Sequence, residues 1–258
     1  MYRVIDTHAH LDELEGLDIK LEEARRAGVL AIVAVGSSYQ SNIKTLEISQ
    51  IHNSLVYPAL GLHPWELGRL TASQIDENLL FIRRNIESAV GVGEIGLDYD
   101  KRVLKLAPKE LQQEVLGHLL RIAKEHAKPA LIHSRYAWKD ALRIVREAGI
   151  DKAVFHWFTG FLSVLKDIVE AGYFISATPA AEYHEEHRRA IRQAPLSRLL
   201  LETDCPVNYG RENRYESQPT DVLRSLQAVC ELKEVAASEI ARETTKNAIA
   251  FFSLNVGD

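Results

Sequence analysis

The alternation of two kinds of apolar segment constrains the fold of this chain more than any other feature. Short runs rich in β-branched residues, each a predicted strand, cover residues 3–8, 29–35, 55–62, 89–93, 129–133, 152–156, 173–177 and 198–203. Longer stretches between them repeat apolar residues every three or four positions, most clearly over residues 19–27 and 109–126. A strand followed by a helix, repeated eight times, predicts an α/β (β/α)8 TIM barrel, with an open doubly wound sheet as the alternative.

The length and the even composition favour one domain. The chain has 258 residues, of which 46% are hydrophobic, and this is ordinary for one α/β barrel. Because there is no internal repeat, low-complexity linker or break in composition, we expect a single domain over residues 1–258. Residues 206–219 are predicted to form a long functional loop.

Charge, cysteine content and the N-terminal sequence restrict the environment. The net charge of −5 disfavours a broad basic face for long nucleic acid. Cys205 and Cys230 form no disulfide framework and are expected to be reduced thiols. The sequence contains no recognisable secretory signal and no apolar run long enough to cross a membrane. We therefore expect a soluble, cytoplasmic protein without a membrane association or an obligate protein partner.

The candidate functional residues lie at or just past the C-terminal ends of predicted strands, the face on which barrel active sites are built. His8 and His10 follow the first strand. Since residues two apart point the same way in an extended chain, both imidazoles can reach one metal. An isolated pair of this kind would more simply be two packed histidines, but four further candidate ligands favour metal binding.

Two of these candidates are carboxylates. Glu94 emerges from a glycine-flanked apolar strand, where a charge is costly to bury unless it is paired or binds metal. Asp204 follows the eighth strand, which lies beside the first in a closed barrel, and can bind metal and accept a proton from water. A salt bridge and a turn-forming Asp are the structural alternatives. Asp98 is predicted either to support a ligand or to cap a loop.

The remaining two candidates are imidazoles, His133 and His156, each at the tip of an apolar strand. His8, His10 and Asp204 would form one site with Glu94 as a fourth ligand, and Glu94 would be shared with a second site at His133 and His156. These nitrogen and oxygen ligands suit divalent Zn, Mn, Mg, Co or Fe. A shared carboxylate would hold two metals roughly 3.5–4 Å apart, as in two-metal hydrolases. Glu94 and Asp204 are the predicted catalytic residues.

Six segments, in order, resemble the TatD-type metal-dependent deoxyribonucleases among the amidohydrolase-like TIM barrels. They are residues 6–12 (DTHAHLD), 61–64 (GLHP), 93–99 (GEIGLDY), 133–135 (HSR), 156–160 (HWFTG) and 202–204 (ETD). The resemblance implies a (β/α)8 barrel, two divalent metals held by the same six ligands, and hydrolysis of DNA phosphodiester bonds. The chain departs from the family at Trp157, where Cys is frequent, and in the residues after Tyr99.

Substrate contacts are predicted around these ligands. His63 and Arg135 are expected to bind phosphate, and Trp157 is a candidate for base stacking as well as for ordinary packing. Lys101, Arg102, Arg211 and Arg214 are further basic candidates, more simply read as solvated loop charges. We expect a two-metal exonuclease acting on single-stranded or frayed DNA. The alternatives are a metal-dependent amidohydrolase or aminoacyl-ester hydrolase, and a non-enzymatic barrel.

Overall fold

A computed structural model describes residues 2–256, so Met1, Gly257 and Asp258 of the predicted domain lie outside the described residues. Eight parallel strands form one sheet in which each strand pairs with the next along the chain. The strands are β1 (Val4–Ala9), β2 (Val29–Val35), β3 (Val56–Leu60), β4 (Gly91–Asp98), β5 (Ala130–Arg135), β6 (Ala153–Phe155), β7 (Phe174–Ala177) and β8 (Leu199–Leu201).

The sheet closes on itself between its first and last strands. Just beyond β8, the Asp204 amide donates to the His8 carbonyl at 2.8 Å, and the His10 amide donates to the Cys205 carbonyl at 2.8 Å. Ala9 and Cys205 form a parallel bridge. The predicted (β/α)8 TIM barrel is therefore confirmed, and the open doubly wound alternative is wrong.

Helices cover the outside of the barrel, and several of them bury one apolar face. In α6, for example, Leu116, Leu119, Leu120 and Ala123 are buried at helical spacing. The helices are α1 (Leu17–Ala27), α2 (Tyr39–Ile51), α3 (Pro64–Leu67), α4 (Ala72–Asn85), α5 (Lys101–Leu104), α6 (Lys109–Glu125), α7 (Trp138–Glu147), α8 (Leu162–Glu170), α9 (Glu185–Gln193), α10 (Val222–Lys233) and α11 (Ala237–Phe252).

Alternate residues of the strands enter two separate apolar clusters. Along β2, Ile32 and Ala34 belong to one cluster, whereas Ala31 and Val33 belong to the other, which also contains Phe251 of α11. This alternation follows from the two-residue period of a strand and leaves both faces of the sheet buried. Within residues 2–256, no helix combines the length and the hydrophobicity needed to cross a membrane.

Two strands are longer than the sequence pattern predicts. β4 continues to Asp98 and β5 to Arg135, so Glu94 lies within a strand and not after its end, and His133 lies within a strand and not at its tip. The predicted ends are wrong because the strands stay paired beyond the apolar runs, where Asp98 pairs with Arg135.

The predicted long loop over residues 206–219 contains regular structure. Its strands β9 (Asn208–Tyr209) and β10 (Tyr215–Glu216) form an antiparallel hairpin. Tyr209 is fully buried, and its hydroxyl donates to the Thr203 carbonyl at 2.8 Å. The hairpin is therefore attached to the chain segment that carries Asp204.

Candidate metal centre

The structure brings the six predicted ligand residues together at the C-terminal end of the barrel. Five strands position them: β1 carries or precedes two, and β4, β5, β6 and β8 supply one each. The residues are His8 and His10, Glu94, His133, His156 and Asp204.

Glu94 lies at the middle of this cluster, and its two oxygens face different imidazoles. Oε1 is 2.7 Å from Nε2 of His156 and 2.9 Å from Nδ1 of His133. Oε2 is 3.3 Å from Nε2 of His10 and 3.5 Å from Nε2 of His8. One carboxylate therefore joins two sets of nitrogen atoms.

Asp204 completes the first set. Its Oδ1 lies 3.5 Å from Nε2 of His8 and 3.5 Å from Nε2 of His10. The backbone of Asp204 is left-handed, with φ of 53°. Backbone strain of this kind, in a residue whose side chain faces other polar groups, is typical of functional sites. His8, His10 and Asp204 form one group whose ligand atoms all lie within 4.8 Å of one another.

The chemistry of these residues fits bound divalent cations. His8 is completely buried, and among the described residues neither of its ring nitrogens has a hydrogen-bond partner. Its Nε2 instead faces two carboxylate oxygens at a distance that is long for a hydrogen bond. A buried imidazole without a partner is costly unless a cation lies between it and those oxygens.

The electrostatics of the cluster point the same way. Burial opposes the charge on Glu94, but the imidazoles of His63 and His156 outweigh it and hold the pKa of Glu94 well below its usual range. Burial also disfavours charge on His10, yet hydrogen bonds with Asp204 and Glu94 raise the pKa of His10 well above its usual value. The carboxylates thus attract positive charge, which either protons or metal ions can supply.

Backbone packing fixes the position of Glu94. A Cβ atom on Gly61 would lie 2.3 Å from the Glu94 carbonyl oxygen, so only glycine permits this close approach of β3 and β4. Asn42 holds Gly61 in place by bonding to both its carbonyl and its amide, at 2.8 and 3.0 Å.

A second clamp joins the ends of β1 and β8. Asp6 is fully buried and accepts hydrogen bonds from the Thr203 amide and hydroxyl at 2.9 and 2.6 Å. Burial nevertheless raises the pKa of Asp6 to about 8. These contacts place Asp204, the next residue, against His8.

Asp98 has both of its predicted roles. Its Oδ2 lies 3.2 Å from Nε2 of His133 and accepts a hydrogen bond from the indole of Trp65, while its Oδ1 accepts from the Asp100 amide at 2.8 Å. Burial opposes its charge, but the bond to His133 prevails and lowers the pKa of Asp98 to about 2. Asp98 therefore orients a candidate ligand and also caps a loop.

Glu202 is a site residue that the sequence reasoning did not single out. It is buried, its Oε1 lies 3.5 Å from Nδ1 of His156, and it also accepts a hydrogen bond from the Trp157 amide at 3.0 Å. Together with His8 and His156, this carboxylate forms a further set of potential ligand atoms. Its position two residues before Asp204 was the available signal.

His63 lies closer to the centre than a substrate contact alone requires. Its Nε2 is 3.4 Å from Oε1 of Glu94, and it forms a third potential ligand group with Glu94 and His133. Burial lowers the pKa of His63 to about 4. The Nδ1 atom accepts the Trp65 amide at 3.2 Å and so caps α3.

Arg135 and Trp157 border the centre. The Arg135 guanidinium is 3.6 Å from Asp100, and its side chain remains 39% exposed. Trp157 has a left-handed backbone, with φ of 40°, and its ring centroid is 5.5 Å from that of Tyr209. Each of these side chains therefore already contacts a neighbouring residue.

The other basic candidates are exposed residues of α5 or of the hairpin segment after β8. Arg102 pairs with Asp100 at 3.0 Å, and Arg211 donates to the Tyr183 carbonyl at 2.8 Å. Lys101 and Arg214 are also exposed. Cys205 and Cys230 are free thiols, as predicted.

Known proteins are similar to this chain in sequence and in fold. The model of the TatD-related DNase family matches residues 5–253. Deoxyribonuclease TATDN3 of Homo sapiens is 31% identical, over 96% of this chain and 94% of that protein. The metal-dependent hydrolase YabD of Bacillus subtilis is 32% identical, over 98% of this chain and 100% of that protein.

A solved structure agrees closely in three dimensions. The TatD homologue YjjV of Escherichia coli superposes with a TM-score of 0.87 at 28% identity, covering 98% of this chain and 99% of that one. Fold and centre together define a TIM-barrel metal-dependent hydrolase. The chain belongs to the TatD-related DNase family, as its motifs predicted.

Proposed function

We propose that this enzyme is a two-metal nuclease that removes nucleotides from the ends of single-stranded or frayed DNA. The observation that carries the proposal is the division of Glu94, whose two oxygens face two different sets of imidazoles. A carboxylate placed in this way can bridge two cations and offset their mutual repulsion. We assign DNA as the substrate because relatives such as TATDN3 are named deoxyribonucleases.

Each residue then has a definite role. His8, His10 and Asp204 would hold one cation, His133 and His156 would hold the other, and Glu94 would bind both. Zn, Mn, Mg, Co or Fe in these positions would supply a nucleophilic hydroxide near neutral pH and neutralise charge on the scissile phosphate.

The protein groups move the proton and orient the substrate. Asp204 would accept the proton of the attacking water through the carboxylate oxygen that does not face His8 and His10. His63 and Arg135 would contact phosphate oxygens, with Arg135 exchanging its pair with Asp100 for the phosphate. Trp157 would lie against the substrate from the end of β6.

Bound metal ions would also explain how an acidic protein could bind an acidic polymer. With a net charge of −5, the chain has little general attraction for a nucleic acid. Cations at the centre would provide positive charge only where the scissile phosphate lies. We therefore expect affinity to fall only shallowly as salt rises, because few Lys and Arg side chains contact the strand.

The test is a hydrolysis assay on chelator-treated protein reconstituted with Mg²⁺, Mn²⁺, Co²⁺ or Zn²⁺. Substrates are an end-labelled single-stranded DNA, a blunt duplex, an RNA of the same sequence, and a panel of amides and aminoacyl esters. We expect stepwise shortening of the single strand, and slower attack on the duplex. Ester or amide hydrolysis without DNA cleavage would instead support the carbonyl hydrolase.

Matched variants guard against a contaminating nuclease. Glu94→Gln should be inactive, whereas Glu170→Gln changes an exposed carboxylate at the end of α8 and should retain activity. Equal activity in both variants would attribute the cleavage to another protein.

A further inference from the structure

Trp65 is an exposed indole at the edge of the candidate metal centre. Of the three tryptophans of the chain, Trp138 and Trp157 are half-buried, whereas 51% of Trp65 is exposed to solvent. An exposed indole forgoes much of the stabilisation that its large apolar surface would gain from burial. Such a residue beside a binding site suggests a ligand that covers it.

Trp65 is held in place by hydrogen bonds of its backbone and of its indole. Its backbone amide donates to Nδ1 of His63 at 3.2 Å, and its ring nitrogen donates to the buried carboxylate of Asp98. Asp98 in turn lies 3.2 Å from Nε2 of His133. Trp65 is thus connected to two imidazoles that contact Glu94, directly to His63 and through Asp98 to His133.

The ring also stands beside those imidazoles without stacking on them. Its centroid is 5.1 Å from that of His63 at an interplanar angle of 89°, and 6.4 Å from that of His133 at 75°. Neither imidazole is therefore stacked in parallel on the indole, about half of which remains exposed to solvent. A planar group bound next to the centre could stack on it with little loss of side-chain freedom, because the ring is already fixed.

We propose that Trp65 is the stacking platform for the nucleobase of the nucleotide whose phosphate occupies the centre. The inference rests on the proposed nuclease function and deepens it. Stacking on an aromatic ring accepts any base, because every base has a π-face, and therefore suits an enzyme that shortens strands without regard to sequence. An unpaired strand end presents such a face, whereas a base within an intact duplex is already stacked.

The test compares two single strands that differ only in the terminal nucleotide, which carries a base in one and is abasic in the other. The measured quantity is the ratio of kcat/KM for the two strands. We expect the wild-type enzyme to favour the base-bearing strand by about tenfold. Trp65→Leu, which retains an apolar side chain without a π-face, should bring the ratio close to one.

Trp65→Phe separates stacking from the hydrogen bond to Asp98. Phenylalanine keeps an aromatic face but loses the indole donor, so most of the preference should remain. If Trp65 acted only by positioning Asp98 and His133, Phe and Leu would lower the rate on both strands alike and leave the ratio at its wild-type value. Tyr2→Leu, at an exposed aromatic residue that precedes β1, is the matched control and should also keep the wild-type ratio.

A binding measurement gives an answer that does not depend on turnover. Titration of metal-reconstituted wild-type protein with a cleavage-resistant phosphorothioate single strand should quench tryptophan fluorescence, and the quenching should be clearly smaller in Trp65→Phe. If wild type cleaves no DNA but this difference is observed, the nuclease proposal fails while the stacking site stands. Equal quenching in both proteins, or a preference for the base that persists in Trp65→Leu, would overturn the inference.

Discussion

His8 and His156 are stacked face to face, with ring centroids 4.2 Å apart and planes inclined by 11°. The first ring faces Oε2 of Glu94 and the second faces Oε1. Two imidazolium ions in this arrangement would repel each other, whereas neutral rings would not. Neutral imidazole is also the form that binds metal ions. The stack therefore places two metal-binding nitrogens beside different oxygens of one carboxylate.

We expect the number of metal ions bound per chain to fall when one imidazole of the stacked pair is removed. Wild-type protein should bind two divalent ions per chain, and His156→Ala should bind about one, because the second set then loses the imidazole whose Nε2 lies 2.7 Å from Oε1 of Glu94. The measurement is isothermal titration with Mn²⁺, supported by elemental analysis. His52→Ala removes a surface imidazole that pairs with Asp18 and should leave the count unchanged. An unchanged count in His156→Ala would remove this residue from the site.

Glu94→Gln and Asp204→Asn should each lower kcat by roughly 10²–10⁴-fold. The first removes the bridging charge, and the second removes the proton acceptor. Circular dichroism of the metal-free proteins should show the wild-type fold, since neither residue belongs to the apolar clusters of the barrel. Wild-type turnover in metal-replete Asp204→Asn would refute its catalytic role.

Glu202→Gln should weaken metal binding without abolishing it. The carboxylate lies beside Nδ1 of His156 and so favours the ring orientation that presents Nε2 to Glu94. Loss of such a supporting group typically costs roughly 10–100-fold in metal affinity. Competition with a fluorescent chelator measures the change, with Glu216→Gln on the hairpin as the control. If Glu202 has no part in holding His156, the two variants will have the same affinity.

His187 predicts a pH dependence of stability that is separate from the metal centre. Its Nδ1 faces the Phe158 carbonyl at 3.0 Å, and its Nε2 accepts the Thr178 amide at 3.1 Å, so the ring is neutral when folded. Burial lowers the pKa of His187 to about 4 from its ordinary value of 6.5. The unfolded chain therefore takes up a proton first as the pH falls.

His187 makes the folded protein more stable at neutral pH than at acidic pH. The contribution of His187 is fully present above pH 6.5 and declines as the pH falls towards 4. At pH 5 the loss should be about 2 kcal/mol. Urea unfolding of metal-free wild type and His187→Gln at pH 7.5 and 5 measures the free energy of unfolding of each protein. The difference between the two free energies should be smaller at pH 5. A difference that does not vary with pH would contradict the role given to His187.

The parts of the molecule that the sequence predicted are those with a local signal. The eight strands were recognisable because each is a short apolar run, and the ligands because polar residues interrupt or follow those runs, as His156 does after Phe155. The far ends of β4 and β5 were not recognisable. Their continued pairing depends on a neighbouring strand and not on their own composition.

Other features were missed because they arise from contacts between distant residues. The indole of Trp65 meets Asp98 across 33 positions of sequence, and the Trp157 amide meets Glu202 across 45. No spacing rule relates such pairs. Glu202 in particular looks like the end of an apolar strand until the barrel closes around His156.

Crystals of metal-reconstituted protein, measured at the absorption edge of Mn or Zn, test whether Glu94 joins two metal ions. We expect two anomalous peaks roughly 3.5–4 Å apart, each within bonding distance of a different oxygen of Glu94. One peak should also contact His8, His10 and Asp204, and the other His133 and His156. A single peak that does not touch Glu94, or none within reach of His133 and His156 at saturating metal, would contradict the shared two-metal centre.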